Sequence, residues 1–420
     1  MPRVDLPYGD GILSVEIDED ALGEIVRPQP VEIPSKPEAV IYHALDIPIG
    51  TPPLIEMVRP GQNTAIIIDD ITRRTPIHLM LPPVLDYLEK SGVQKTSVSI
   101  VIALGTHRPM TESEIREKVG PDIPDEYEIV NIPGWKEDEM IYTGTSAKGI
   151  PAWVNRKVAD ADIRIGLGMI APHMDVGFSG GAKIILPGVC SSKTVNAFHS
   201  RQATLTGNQL GLLDSPMRRD LEEFVEERIG LDFILNAVLS RDGLVYQCVA
   251  GHFIQAHRAG VDIASRVYGM PVSKRYPVVV SNAFPAQIDL WQSTKAIASA
   301  DLMTADGGTI ILVTHCPEGN STHPLFADYL GRHPDRLLEE LESGNAADPV
   351  ACAIAISIAR IRQRIRIALV SSGLNKQDAD RMGFDYYDTI ENALSDVLSS
   401  IKEPESVGVL TQGGVSLPYS

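Results

Sequence analysis

Apolar positions in this chain fall into short continuous runs that alternate with segments of helical period. TAIIID at 64–69 is a β-branched run of the kind that fills a central strand. It ends in Asp69-Asp70 and leads through ITRRTP to HLMLPPVLDYLEKSG, closed by Gly92. Pro82-Pro83 inside that segment predicts an early helical turn that restarts there. SVSIVIALGTH gives a second buried strand. TESEIREKVG gives a helix whose Thr111 and Glu114 have capping-box spacing. EYEIVNI is a further strand, and VNRKVADADIRIGLG reads as a short helix and a strand. Residues 217–230 form a charged amphipathic helix. ILNAVLS and LVYQCVAG pair around the turn Arg241-Asp242-Gly243, and 252–269 are helical. At the amino end VDLPYG, ILSVEI and AVIYHAL read as strands around a Pro-rich stretch.

Past Met270-Pro271 the rhythm repeats. YPVVVSNA, GTIILVTHC and IRIALVSSG are strand-like, with LWQSTKAIASADLMT and ACAIAISIARIRQR as helices between them. Strand–loop–helix repetition predicts α/β sheets, and a chain of 420 residues predicts two domains. The boundaries are 1–270 for the first unit and 272–403 for the second. Residues 404–420 can return to the first.

The run 166–199, GLGMIAPHMDVGFSGGAKIILPGVCSSKTVNAFH, departs from this rhythm. Its density of glycine excludes a regular helix, since each interior Gly costs roughly 0.5–1 kcal/mol against Ala. It reads as strand, loop, short helix start and loop. A turn-rich connection between sheet elements explains the glycines. Lys183 asks for more: a lysine between GGA and IILPG, if buried, is either paired or lowered in pKa.

Composition narrows the class. The chain is 44% hydrophobic and 22% charged, ordinary for a globular protein, with a formal net charge of -18. That balance opposes nucleic acid or an anionic membrane as partner, while leaving room for a basic pocket around a small anion. Cys190, Cys248, Cys316 and Cys352 form no CxxC pair and read as free buried thiols of a reducing compartment. With no secretory h-region and no long apolar span, cytoplasm is the expected location.

Reactive groups gather where predicted strands end, the preferred ligand position in open α/β sheets. Asp69, Asp70, Thr72, Arg73 and Arg74 follow the first strand. Thr106, His107 and Arg108 follow the second, and His173 follows IRIGLGMIAP. Each group alone has a plain structural reading as a cap, a turn or a surface histidine. Together, two histidines on either side of a substrate suit proton removal from two faces at neutral pH. Nearby arginines suit a carboxylate. No GxGxxG, Walker loop or G-x-S-x-G elbow is present.

DDITR at 69–73, ALGTHRPMT at 103–111, APHMDVGFSGGAKIILPGV at 171–189, NAFH at 196–199 and WQSTKA at 291–296 are ordered pieces spread over both units. In these the chain resembles the nickel-pincer-dependent lactate racemases and their relatives that act on other 2-hydroxy acids. The resemblance implies two α/β domains with an interdomain active-site cleft. It implies a nickel pincer cofactor of the pyridinium-3,5-bisthiocarboxylic acid mononucleotide type, tethered covalently at Lys183, with His199 as the protein ligand to nickel. His107 and His173 become the acid/base pair around hydride abstraction and return, through a 2-keto acid. Arg73 and Lys295 hold the substrate carboxylate. Asp70, Thr72, Trp291 and Gln292 contact the cofactor or its phosphate. Cofactor-biosynthesis proteins are implied as partners.

Two positions depart from the family pattern. Arg74 stands where Pro is usual, and Trp291 where lactate-specific members tend to have Tyr. Arg74 either points to solvent or adds positive charge near the substrate. Lactate, a dicarboxylate such as malate, and a bulkier 2-hydroxy acid therefore all stay open. Two other classes remain beside the racemase: a carrier of the cofactor without turnover, and a net 2-hydroxy acid dehydrogenase.

Overall fold

The computed structural model describes residues 1–399, 401 and 403–419. It contains two six-stranded sheets. The first runs in the order Val245–Gly251, Phe233–Leu239, Ile163–Met169, Thr64–Asp69, Val98–Ala103, Glu128–Val130. Its strands are parallel except at the hairpin that ends it, where Val245–Gly251 returns along Phe233–Leu239. The second is parallel throughout: Asp385–Tyr387, Arg366–Ser371, Thr304–Thr314, Tyr276–Asn282, Val407–Leu410, Leu22–Val26. The expected two-domain α/β class is what the chain adopts. Among the described residues no helix is long and apolar enough to cross a membrane.

The ends of the chain lie differently from the expected boundaries. Leu22–Val26 and Val407–Leu410 pair with each other in the second sheet, and Val407–Leu410 also pairs with Tyr276–Asn282. The hairpin Arg3–Tyr8 with Gly11–Glu16 packs there too, through Val4, Leu6, Val15 and Ile17. The first unit is thus inserted between two pieces of the second. At the crossing, Gly269–Pro271 pairs in parallel with Leu417–Tyr419.

Two local readings also change. AVIYHAL is helical, within Pro37–Asp46, with Pro37 at its start and Ile41, Ala44 and Leu45 buried at helical spacing. A continuous apolar run is compatible with either period, and packing decided for the helix. Ile77–Lys90 is one helix that runs through Pro82 and Pro83. The amide hydrogens these prolines lack would have met carbonyls of the first turn, close to the helix end, where the loss is most easily borne. The Thr111–Glu114 capping box forms as expected.

The glycine-rich run is strand, hairpin and 3-10 turn. After Ile163–Met169 the chain makes a two-residue pairing of Pro172–His173 with Gly177–Phe178, then the turn Gly181–Ile184. That turn lies directly on the strand: a Cβ at Gly166 would meet Ile184 at 2.8 Å. His199 follows on the helix Ser192–Ala203, whose cap Ser191 accepts from the Thr194 amide.

The hairpin and turn are fastened from behind by Arg218, a side chain with no exposed surface. Its guanidinium donates to the carbonyls of Val176 at 3.2 Å, of Phe178, and of Gly180 at 3.4 Å. Glu222 lies 3.7 Å away and is itself held by Arg258 at 2.6 Å. Burial lowers the Arg218 pKa to about 10, so it remains charged. Arg218→Ala would leave three carbonyls without their donor and Glu222 with Arg258 alone. We expect a loss of about 3–5 kcal/mol of unfolding free energy by urea titration. Arg219→Ala, on the exposed side of the same helix, should cost less than about 0.5 kcal/mol. Equal losses at the two positions would contradict this account.

Candidate active site

The strands that end at Met169, Asp69 and Ala103 are neighbours in that order, so their loops open side by side. The turn after Asp69 is locked from below. Lys118, almost fully buried, pairs with Asp69 at 2.9 Å and donates to the Arg73 carbonyl at 2.7 Å, while Thr75 bonds the other Asp69 oxygen. Asp69 is therefore spent on structure, and Asp70 faces the cleft. From the second unit, Asp289 caps the helix Leu290–Asp301 by accepting from the Gln292 amide at 2.7 Å. That start places Trp291, Gln292 and Lys295 on one helix face. The resulting cavity, about 1010 Å³ with its open mouth, is lined from the first unit by Asp70, Arg73, His107, His173, Lys183 and His199. Trp291, Gln292 and Lys295 close it from the second unit.

One hydrogen-bond network joins the two sides. Asp70 accepts from His107 Nδ1 at 2.7 Å and from Thr72 at 2.6 Å. Burial alone would raise the Asp70 carboxyl, but the charges and hydrogen bonds of His107, Arg73 and Thr72 outweigh it and hold it well below the usual carboxylate range. Thr72 in turn accepts from Arg73 at 2.9 Å. Gln292 Oε1 accepts from Arg73 at 3.1 Å and from Lys295 at 2.5 Å. That fixes its amide, so Gln292 Nε2 donates to His107 Nε2 at 3.2 Å. His107 thus carries its proton on Nδ1 and turns a lone pair toward the cleft.

His173 is arranged the other way. Its Nδ1 accepts from the Asp175 amide at 3.3 Å, which puts the proton on Nε2. Burial, with Lys183, Lys295 and Arg73 nearby, pushes its pKa well below the ordinary value. The two rings therefore present opposite faces of the imidazole chemistry, one an acceptor and one a donor.

His199 is buried at 7% exposure, and its Nδ1 is bonded to Gln202 Oε1 at 2.7 Å. Gln202 donates onward to Asp175. Burial lowers the His199 pKa, which favours a neutral ring, and its Nε2 has no hydrogen-bond partner among the described residues. Among the described residues no group of three or more His, Cys, Asp or Glu side chains gathers to hold a metal. The amine of Lys183, on the 3-10 turn, has no hydrogen-bond or ion-pair partner among the described residues. Burial first, and then Arg73, lowers its pKa to about 7. Lys295 is lowered for the same reasons, burial, Arg73 and Lys183.

The two unusual positions are both occupied in ways the sequence left open. Arg74 donates to the Asp242 carbonyl at 2.9 Å and lies 5.2 Å over the Phe284 ring of the second unit. Trp291 stacks on His323 at 4.4 Å and packs against Phe326 at 4.7 Å. His323 had no assigned role in the sequence reading. Its Nδ1 bonds Asp348 at 2.7 Å, and its Nε2 bonds Thr106 of the first unit at 3.1 Å. His323, Asp348, Gln202 and Asp175 were all missed. They lie far in sequence from the groups they orient, and no local spacing marks them.

The Lys183 amine has a direct check. A group whose pKa falls to about 7 is half unprotonated at neutral pH, where a surface lysine near 10.4 is almost fully charged. Competitive labelling with a small acylating reagent across pH should give Lys183 a midpoint near 7. A midpoint near 10 would contradict the described burial.

Residues 8–211 match the profile of the lactate racemase N-terminal domain, and residues 274–417 match that of the lactate racemase C-terminal domain. The chain is 30% identical to a lactate racemase of Thermoanaerobacterium thermosaccharolyticum over 325 residues, 76% of each chain. It is 30% identical over 328 residues to a lactate racemase of Lactiplantibacillus plantarum, again 76% of each. The apoprotein structure of lactate racemase from T. thermosaccharolyticum superposes with a TM-score of 0.89 over 100% of both chains, at 26% identity. A Thermotoga maritima protein at 20% identity shares the fold, with a TM-score of 0.71 over 91% of this chain and 98% of its own. With both profiles matched in order across the two units, this chain belongs to the lactate racemase family.

Proposed function

We propose that this cleft racemises or epimerises a 2-hydroxy acid, using a nickel pincer cofactor tethered at Lys183 and ligated through His199. One observation carries the reading: Arg73 and Lys295, from opposite units, converge on a single acceptor oxygen beside His107. That oxygen is Gln292 Oε1. A substrate carboxylate offers the same two cations a better partner, because charge-assisted hydrogen bonds are the stronger kind.

The residues present suit the cofactor. An amine near neutrality, with no partner among the described residues, is a nucleophile fit for an amide-type tether. An imidazole whose Nδ1 is held by Gln202, with no described partner on Nε2, is oriented as metal ligands are. When bound, the nickel pincer supplies an acceptor and donor of hydride for the substrate α-carbon. Arg73 and Lys295 fix the carboxylate, which holds the carbinol carbon at the junction of both units. His107 Nε2 takes the hydroxyl proton, and Asp70 stabilises the imidazolium that forms. His173, on the other side, returns a proton when the 2-keto acid is reduced from its opposite face. An anionic substrate offsets the part of the His173 shift that comes from Lys183, Lys295 and Arg73, which favours the protonated ring, while burial, the larger cause, still opposes it. Trp291, Gln292 and the second-unit helix close the site from solvent.

Cofactor-loaded protein in D2O with a panel of chiral 2-hydroxy acids tests this. The expected result is inversion with almost no deuterium at the α-carbon. Extensive deuterium uptake would replace hydride return with carbanion chemistry. Net accumulation of keto acid would make the protein a dehydrogenase, and cofactor absorbance with no turnover a carrier. Arg73→Gln should lower kcat/KM by roughly 100-fold, most of it in KM. His107→Gln should lower kcat with little change in KM. A loss confined to KM in His107→Gln would remove it from the proton-transfer role.

A further inference from the structure

The cleft does not stop at the carboxylate clamp. Arg73, Met169, His173, Ser179 and Lys295 also border a second cavity, about 620 Å³ with its mouth, on the side away from Lys183 and His199. Its walls include Ala171, Leu239, Pro285, Ala286 and Val415. Tyr268 adds its ring, because its hydroxyl is spent on the Leu239 carbonyl at 2.7 Å. With the first cavity given to the cofactor, the second is where the variable group of a clamped 2-hydroxy acid has room. The methyl of lactate would leave it largely to water.

The far rim of this cavity carries excess positive charge. Arg74 and Arg241 both line it. The Asp242 carboxylate lies 3.6 Å from Arg241; Arg74 feels the same charge but, among the described residues, forms no ion pair with it, and its close contacts are the Asp242 carbonyl and the Phe284 ring. Neither of those is an anion. The backbone leaves space for this guanidinium: a Cβ at Gly243 would stand 2.1 Å from Arg74 Nη2. Gly243, at φ +83, is what lets the cation lie across the turn. Arg74 thus holds the cavity rim together and keeps donors and charge to spare.

We propose that the second cavity is the side-chain subsite and that it selects a 2-hydroxy dicarboxylate, methylenes against the apolar wall and distal carboxylate at Arg74. This rests on the carboxylate clamp of the preceding section and deepens it. Arg74 is a specificity-determining residue in this assignment, and it touches no reacting atom.

Calorimetric binding to the purified protein, without turnover, tests it using lactate, 2-hydroxybutyrate, 2-hydroxyisocaproate, malate and 2-hydroxyglutarate. The better of the two dicarboxylates should bind about tenfold tighter than lactate and 2-hydroxybutyrate. Arg74→Gln should cut that preference about fivefold, a modest factor because Arg74 is partly solvated, and Arg74→Lys should restore part of it. Val415→Phe, which fills the cavity without altering charge, should also lower the preference for the longer acids. Tightest binding by 2-hydroxyisocaproate, or a preference that Arg74→Gln leaves intact, would overturn the subsite. Arg73→Gln separates the two levels: it should weaken every acid. Unchanged binding in Arg73→Gln would sink the clamp itself, whereas a lost clamp beside an insensitive Arg74 would sink only the subsite.

Discussion

Three basic side chains, Arg73, Lys183 and Lys295, are pressed into one cleft, and each lowers another's pKa or that of His173. Like charges so placed repel, and burial adds a desolvation cost to both lysines. The nearby carboxylates offset this in part and are already engaged: Asp70 with His107, Asp175 with Gln202, and Asp289 with the Gln292 amide at the helix start. What remains is a hole that is short of negative charge. An anion entering it relieves the repulsion, which makes substrate binding and site electrostatics the same physical event. Gln292 is the neutral group between Arg73 and Lys295. Its carbonyl oxygen takes both cations and its amide orients His107.

That arrangement explains the architecture around it. Arg73 belongs to a loop of the first sheet and Lys295 to a helix of the second, so the clamp exists only while the units face each other. Several contacts hold that pose. His323 reaches Thr106, Arg108 reaches Glu318 at 2.6 Å, and the Arg360 guanidinium donates to the Leu205 carbonyl at 2.6 Å. The insertion of the first unit between two pieces of the second means that two chain crossings, rather than one flexible linker, connect them. Gly269–Pro271 paired with Leu417–Tyr419 ties the return crossing to the carboxyl-terminal segment.

The parts legible in the sequence are those written locally. β-Branched runs announced the strands that deliver Asp70, His107 and His173, and glycine density announced the irregular backbone around Lys183. The parts that were not legible are set by tertiary contact. Nothing in a helix as charged as 216–228 marks Arg218 as wholly buried, because its partners are carbonyls of a distant loop. Leu22–Val26 and Val407–Leu410 are each short and apolar, and only their pairing with each other places them in the second sheet. AVIYHAL failed for a related reason: seven apolar-rich residues carry no period of their own, and the choice between strand and helix was made by what Ile41, Ala44 and Leu45 pack against.

The two departures from the family pattern turn out to act on different sides of the clamp. Trp291 spends its added bulk against His323 and Phe326, within the second unit, so its size is absorbed away from the second cavity. Arg74 lies on the other side, across the Asp242–Gly243 turn. A change at 291 therefore bears on the bay next to Lys183, while a change at 74 bears on the space beyond the carboxylate. In the proposed reading, chemistry and selectivity are carried by separate walls of one cleft, with Arg73, His173 and Lys295 at the seam between them. Such a division lets the side-chain wall vary in charge and volume while the proton-transfer network of Asp70, His107 and Gln292 stays in register.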